Sequence, residues 1–214
     1  MLRIKSFVFN SFQVNTYLVW DEQGNCLVID PAFYSPDDIN TFDRYISENG
    51  LSIIGQVNTH CHVDHVLGVK HMQTKYKCPL HAHSDESGLL NNAPLMGEIF
   101  GLKLEPISKI DTPLIDNEVI NVGEESLTAI LVPGHSPGSL SFYSAEGGFV
   151  VTGDALFQGS IGRTDLPGGD YDTLISSIQK RLLTLPPDTI VYPGHGDPTS
   201  IGEEASNNPF LAMA

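Results

Sequence analysis

The sequence predicts an α/β chain, with two sheets packed face to face and helices outside, and three observations lead there. Short apolar runs ending in Gly, Pro or Asp recur along the whole chain, as strands do. Segments with helical spacing interrupt them near residues 36–50, 66–77 and from 170 onward. The order strands-then-helix occurs twice, which suggests two layers of sheet. Periodicity alone does not separate this arrangement from a doubly wound sheet. The 214 residues, 41% of them hydrophobic, support a sizeable core, and no Ser/Pro-rich linker marks a boundary, so one domain over residues 1–214 is expected.

Residues 1–9 alternate Arg3 and Lys5 with apolar neighbours and read as a strand, not a signal peptide. Strands at 15–20 and 25–29 follow, joined by Asp21-Glu22-Gln23-Gly24, which makes an antiparallel opening. Ser35 caps a helix with Pro36 first, Asp37 and Asp38 in its first turn and Gly50 past its end; Ile39, Phe42 and Ile46 form its buried face. An apolar strand at 51–57 precedes a helix over 66–77 and a short strand at 79–81. Residues 84–110 mix Gly88, Pro94, Gly97 and Gly101 with Leu and Phe, and read either as a lid or as short helices covering a core edge. Strands at 119–122, 127–132, 139–143 and 149–151 lead to a helix from Asp170, whose apolar face is Tyr171, Leu174, Ile175, Ile178 and Leu182. A strand at 189–192 follows.

Chemistry concentrates in Thr59-His60-Cys61-His62-Val63-Asp64-His65, at the carboxyl end of the 51–57 strand. In extended backbone side chains alternate, so His60 and His62 face one ion while Cys61 and Val63 point elsewhere. Asp64 and His65 follow where the chain turns, free to face a second ion. Imidazole and carboxylate suit zinc, iron or manganese better than calcium. Three later strand ends each carry one ligand beside Gly: His135 in Pro133-Gly134-His135, Asp154 after Gly153, and His195 in Pro193-Gly194-His195. The seven divide into His60, His62 and His135 for one ion, Asp64, His65 and His195 for the other, and Asp154 between them. His71, His81 and His83 lack partners at ligand spacing and read as packing or surface residues.

This HxHxDH motif, with the later His, Asp and His in order, resembles the metallo-β-lactamase superfamily over nearly the whole length. The resemblance implies an αββα sandwich and assigns Asp30 to brace the metal loop from behind by hydrogen bonding. Two divalent ions, zinc first and iron or manganese next, would share a water, bring its pKa toward ~7 and polarise the attacked carbonyl. Asp64 and Asp154 are the carboxylates expected to act in catalysis. With every motif residue used as a ligand there is no obvious spare acid, so a thioester, whose thiol has a pKa of about 8.5, needs least from the site.

Within the superfamily the residues 153–157, 162–170, 193–196, 201–204 and 208–211 resemble short single-domain glyoxalase II proteins, the hydroxyacylglutathione hydrolases. That implies a small-molecule thioester of glutathione or another thiol. Two-domain members add a helical C-terminal region with glutathione contacts, for which too few residues follow His195, and carry Lys and Tyr where this chain has Arg163 and Asp165. Arg163 either grips a substrate carboxylate or pairs with Asp165 or Asp170. The alternative is a persulfide dioxygenase, a relative that binds one iron through residues matching His60, His135 and Asp154. Pro193-Gly194-His195-Gly196 favours the hydrolases. A closed zinc-binding interaction module is expected to be richer in Cys.

A formal net charge of -15 argues against nucleic acid and anionic membranes as partners, and no run is long enough to span a bilayer. Bound divalent ions still make a pocket positive within an acidic shell, so an anionic substrate stays open. Cys26, Cys61 and Cys78 lack paired spacing and fit free thiols in a reducing cytoplasm, a compartment that disfavours β-lactam hydrolysis.

Overall fold

The structure is a computed structural model and describes residues 1–107 and 109–211. Two six-stranded sheets form the centre. The first contains, in spatial order, β1 (Arg3–Phe9), β2 (Val14–Trp20), β3 (Asn25–Ile29), β4 (Ser52–Val57), β5 (Leu80–His83) and β6 (Thr112–Leu114). Its first three strands are antiparallel, as the 21–24 connection predicts, and β3 to β6 are parallel. The second sheet is ordered β14 (Thr199–Ser200), β13 (Ile190–Pro193), β10 (Phe149–Gly153), β9 (Leu140–Ser144), β8 (Glu125–Leu131), β7 (Val119–Val122). Only β10 and β13 pair in parallel there. A small hairpin joins β11 (Leu156–Phe157) to β12 (Ser160–Ile161).

The pleat explains the layers. In β2 Tyr17 and Val19 point between the sheets, meeting Leu127, Ala129, Phe142 and Val151, while Leu18 points outward to Phe42 and Ile46 of helix α1 (Pro36–Glu48). The second sheet repeats this: Val150 and Val191 face outward onto Leu174 of α4 (Tyr171–Ser177) and Ile201 of α5 (Ile201–Asn207). The result is helix, sheet, sheet, helix, the αββα arrangement.

Local chemistry sets the helix ends. Ser35 accepts from the Asp38 amide at 3.1 Å while the Asp38 carboxylate accepts from the Ser35 amide, a capping box at the predicted place. The helix expected over 66–77 starts later: a 3₁₀ turn, Val63–His65, comes first, and α2 (Val69–His71) runs on into a π turn, Met72–Tyr76. The turn keeps Asp64 and His65 aimed at the site. In α4, which continues through a π turn at Ile178–Leu182, Leu174, Ile178 and Leu182 are buried as predicted, but Tyr171, the first residue of the helix, is 49% exposed and lies outside the apolar cluster that holds the other three.

Residues 84–110 are more regular than their composition suggests. A 3₁₀ turn, Ser84–Glu86, leads into α3 (Ser87–Ile99), a 13-residue helix that tolerates Pro94 and packs Leu90 and Ala93 against Val69, Leu80 and Ala82. It covers a core edge, and its far end brings Met96 and Phe100 to the mouth of the cleft described next. Among the described residues no helix is long and apolar enough to cross a membrane.

Candidate metal centre

All seven predicted ligands converge at the carboxyl ends of β4, β8, β10 and β13. His60, His62 and His135 form one group and Asp64, His65 and His195 another, each with donor atoms within 4.8 Å of one another. Asp154 lies between them: Oδ1 is 3.4 Å from His65 Nε2, and Oδ2 is 3.7 and 3.5 Å from the Nε2 atoms of His135 and His195. Gly194 permits this approach, since a Cβ there would stand 2.1 Å from Asp154 Oδ1. Cys61 points away, as expected, and is wholly buried under α3, whereas Val63, also expected to point elsewhere, lines the cup beside the donors because the chain turns into the 3₁₀ segment there.

Hydrogen bonding at the outer nitrogens fixes which way the rings face. His135 Nδ1 donates to the Arg163 carbonyl at 2.8 Å and His195 Nδ1 to the Phe12 carbonyl at 3.0 Å. A carbonyl only accepts, so both Nε2 atoms present lone pairs inward when the rings are neutral. His65 Nδ1 meets Asp30 Oδ2 at 3.0 Å, and His60 Nδ1 meets Thr59 Oγ1 at 3.0 Å, whose hydroxyl donates to Asp30. Asp30, placed by sequence behind the metal loop, is buried there and also accepts from the Thr59 amide at 2.7 Å.

Lone pairs facing one another repel unless a cation or proton lies between them. His60 and His135 Nε2 are 3.3 Å apart, His65 and His195 Nε2 3.4 Å, and His62 Nδ1 is 2.9 Å from His135 Nε2. Asp154 Oδ1 is buried without a hydrogen-bond partner. This donor set fits two divalent cations of borderline softness. A third group, Asp30 with His60 and His65, is also close, but both Asp30 oxygens already serve Thr59 and His65.

Electrostatics divide the two halves. Burial, aided by the neighbouring imidazoles, holds His60 far below the usual histidine range and brings His62 to about 4, so these rings are neutral, as ligands must be. Burial opposes charge on His65 and His195 too, but Asp154 and Asp64 outweigh it and raise both. Burial likewise disfavours the Asp154 carboxylate, yet His65, His135 and His195 hold its pKa well below the carboxylate range.

The cup above these groups, about 240 Å³, is walled by Phe12, Val63, Met96, Phe100 and Leu166, with Arg163 at the rim. The Phe12 and Phe100 rings meet edge-on at 5.1 Å. Arg163 forms a bidentate pair with Asp165, Nε and Nη2 each 2.7 Å from a carboxylate oxygen, which brings Asp165 to about 2; Asp170 instead caps α4. His71 bonds Asp43 on the outer face, away from the centre.

Several supporting residues carry no signal in the sequence. Asn10 donates to the Asp64 carbonyl at 3.2 Å, and Asn15 Nδ2 to the carbonyls of Pro193 and Gly196, both at 2.9 Å. Glu86 is fully buried and accepts from the Cys61 amide, the Ser136 hydroxyl and the Gly138 amide, each at 2.7 Å. Nothing in the local pattern separates it from its exposed neighbour Asp85.

Fold and donor set define a metal-binding α/β protein of the sandwich type. The chain belongs to the metallo-beta-lactamase superfamily, whose family model matches residues 10–195. It is 39% identical over 93% of its length to the probable metallo-hydrolase YqgX of Bacillus subtilis, covering 92% of that protein. It is 35% identical to the hydroxyacylglutathione hydrolase GloC of Haemophilus influenzae, over 98% of both chains. Among solved structures, the BLEG-1 B3 metallo-beta-lactamase superposes with a TM-score of 0.90 at 31% identity, over 98% of this chain and 100% of that one. TTHA1623 in a di-iron-bound form gives 0.87 at 35%, over 97% and 100%. ETHE1 of Myxococcus xanthus gives 0.81 at 26%, over 99% and 86%. The chain is a metallo-hydrolase by family.

Proposed function

We propose that the chain is a dinuclear metal-dependent thioester hydrolase of the hydroxyacylglutathione hydrolase type, acting as one domain over residues 1–214 on a small-molecule thioester of glutathione or another thiol. The observation that carries this reading is the two facing donor groups with Asp154 between them, beneath a cup in which, among the described residues, no hydroxyl, thiol or amine side chain is present. His60, His62 and His135 would hold one ion and Asp64, His65 and His195 the other. Two divalent ions so held supply Lewis acidity and an activated water at neutral pH.

The chain's own residues do the rest. Asp64 and Asp154 keep their carboxylates ionised and adjacent to the reacting centre, where they would orient the nucleophile by accepting its hydrogen bond. Among the described residues no Ser, Tyr, Lys or Cys lines the cup, so a leaving group needing protonation is poorly served, and thiolate leaves unaided. The apolar wall excludes water from the substrate's flank. Among the described residues Arg163 is the one guanidinium or ammonium at the rim; its exposed pair with Asp165 is weak enough to exchange for a substrate carboxylate. The relative GloC supports an acyl-glutathione substrate, and three buried free thiols support a reducing compartment, the cytoplasm.

A second reading, a mononuclear iron persulfide dioxygenase, draws on the likeness to ETHE1. The Asp64, His65 and His195 group, complete beside the first, supports two ions and keeps hydrolysis ahead. The test is to purify the protein without added metal, count its ions, and assay S-lactoylglutathione by thiol release, glutathione persulfide by oxygen uptake and a β-lactam by ring opening. Thiol release with about two ions of zinc, iron or manganese per chain is expected. Oxygen uptake with one iron, or β-lactam opening alone, would replace the proposal.

A further inference from the structure

Two buried carboxylates, and not one, brace the metal loop, and they reach different halves of it. Asp30 accepts from the Thr59 amide and hydroxyl and meets His65 Nδ1. It therefore sets a ring of the Asp64, His65 and His195 group directly, and reaches His60 of the other group through the Thr59 hydroxyl. Glu86 binds the backbone of the other half. Its Oε2 accepts from the Cys61 amide, between His60 and His62, at 2.7 Å. Its Oε1 accepts from the Ser136 hydroxyl and the Gly138 amide, both at 2.7 Å, on the loop that carries His135.

Those two loops belong to different sheets, one following β4 and the other following β8. Within each loop the backbone is continuous, but across the sheets the spacing of His60 and His62 against His135 depends on what joins them. Glu86 is such a joint. It sits in the 3₁₀ turn Ser84–Glu86, anchored by the α3 residues behind it, and is entirely shielded from water. Three donors converge on it, so a carboxylate there is satisfied, whereas an alkyl side chain would leave two amides and a hydroxyl competing for other acceptors. The packing is shaped around it: a Cβ on Gly138 would stand 2.8 Å from His83 Nδ1 and 3.1 Å from Glu86 Cγ. Ser136 is held a second time, its hydroxyl 2.6 Å from that of Ser139.

We propose that Glu86 is the positioning residue for the ion held by His60, His62 and His135, and that Asp30 serves the other ion, so the two affinities are set from two separate buried carboxylates. This rests on the two-ion reading above. It does not depend on the substrate.

The test reads metal binding directly. Metal-free wild type, Glu86→Gln, Ser136→Ala and Asp30→Asn are titrated with Co²⁺, followed by calorimetry and by the visible absorption of the bound ion, with the melting temperature of each metal-free protein recorded in parallel. Glu86→Gln keeps the volume and the Oε1 acceptor but turns a donor toward the Cys61 amide. It is expected to weaken one of two Co²⁺ sites by about 10–100-fold, leave the other near wild type, and remove the absorption band that His135→Ala also removes. Ser136→Ala is expected to shift the same site less, and Asp30→Asn to weaken the other. Equal weakening of both sites by Glu86→Gln, or a lowered melting temperature with both affinities unchanged, overturns the proposal and leaves Glu86 a purely structural residue. Should Glu86→Gln not fold, Ser136→Ala decides by the same criterion. If wild type takes up only one Co²⁺, the two-ion reading fails, and Glu86 is then judged by whether that single ion loosens in Glu86→Gln and is lost in His135→Ala.

Discussion

Asp154 and Cys61 are opposite outcomes of burial. Asp154 reaches both donor groups and has an oxygen without a hydrogen-bond partner, so Asp154→Ala is expected to lose bound metal and activity together, measured by metal analysis and turnover of the same sample. Cys61 sits between two ligands in sequence, yet its thiol lies in the apolar cluster under α3, and burial first, then Glu86 and Asp30, push its pKa well above the usual thiol range. Cys61→Ala is expected to keep both metal and activity, and Cys61 should not react with a thiol reagent until the protein is unfolded. A Cys61→Ala protein that lacks metal would refute the alternation argument. The convergence of the seven side chains was legible because apolar runs lead into them and four are crowded into one motif. Glu86 and Asn15 were not, because a buried polar residue that serves distant backbone has no spacing to declare it.

At the level of elements, α1 is tied to the α2 region through Asp43, whose carboxylate accepts from Tyr76 at 2.6 Å and from His71 at 3.1 Å and meets Lys75 at 2.6 Å. Burial opposes the charge, but Lys75, Tyr76 and His71 lower the pKa below its ordinary value. A depressed folded pKa adds stability above the unfolded value, near ~3.9, and loses it as pH falls through the folded one. Asp43→Asn is expected to cost about 1 kcal/mol at pH 7 in urea unfolding, with the exposed Lys75 contributing least, and the gap to wild type should close below pH ~4. At the end of α3, Phe100 is 52% exposed, lines the cup and otherwise meets the Phe12 ring edge-on. Phe100→Ala is expected to raise KM roughly fivefold, for about 1 kcal/mol of lost apolar contact, without changing metal content. Residues 87–99 hid their helix behind Gly88, Pro94 and Gly97, and the three-residue β6, with Pro113 at its centre, is too short for any period. Helix α5 was not read from the sequence although a signal was present: Ser200 accepts from the Glu203 amide, the start of a capping motif.

Across the whole molecule, the layer order came from the motif's resemblance, since the strand pattern alone also fits a doubly wound sheet. The centre draws its donors from both sheets, so metal binding is linked to the global fold. Removing metal with a chelator is expected to lower the melting temperature, and restoring Zn²⁺ should raise it again in proportion to the logarithm of its concentration. A melting temperature indifferent to chelation would place the donors outside the cooperative unit.

The contact between β2 and the end of β13 has a consequence for how the protein is made. Asn15 donates its amide to Gly194 at 2.7 Å and its side chain to Pro193 and Gly196, and Tyr17 donates to Pro193 at 2.6 Å, clasping positions 176 to 181 residues apart. A nascent polypeptide therefore displays four of its seven donors long before the last has left the ribosome. The donor groups therefore come together only when the His195 loop docks beneath the N-terminal hairpin, late in the making of the fold.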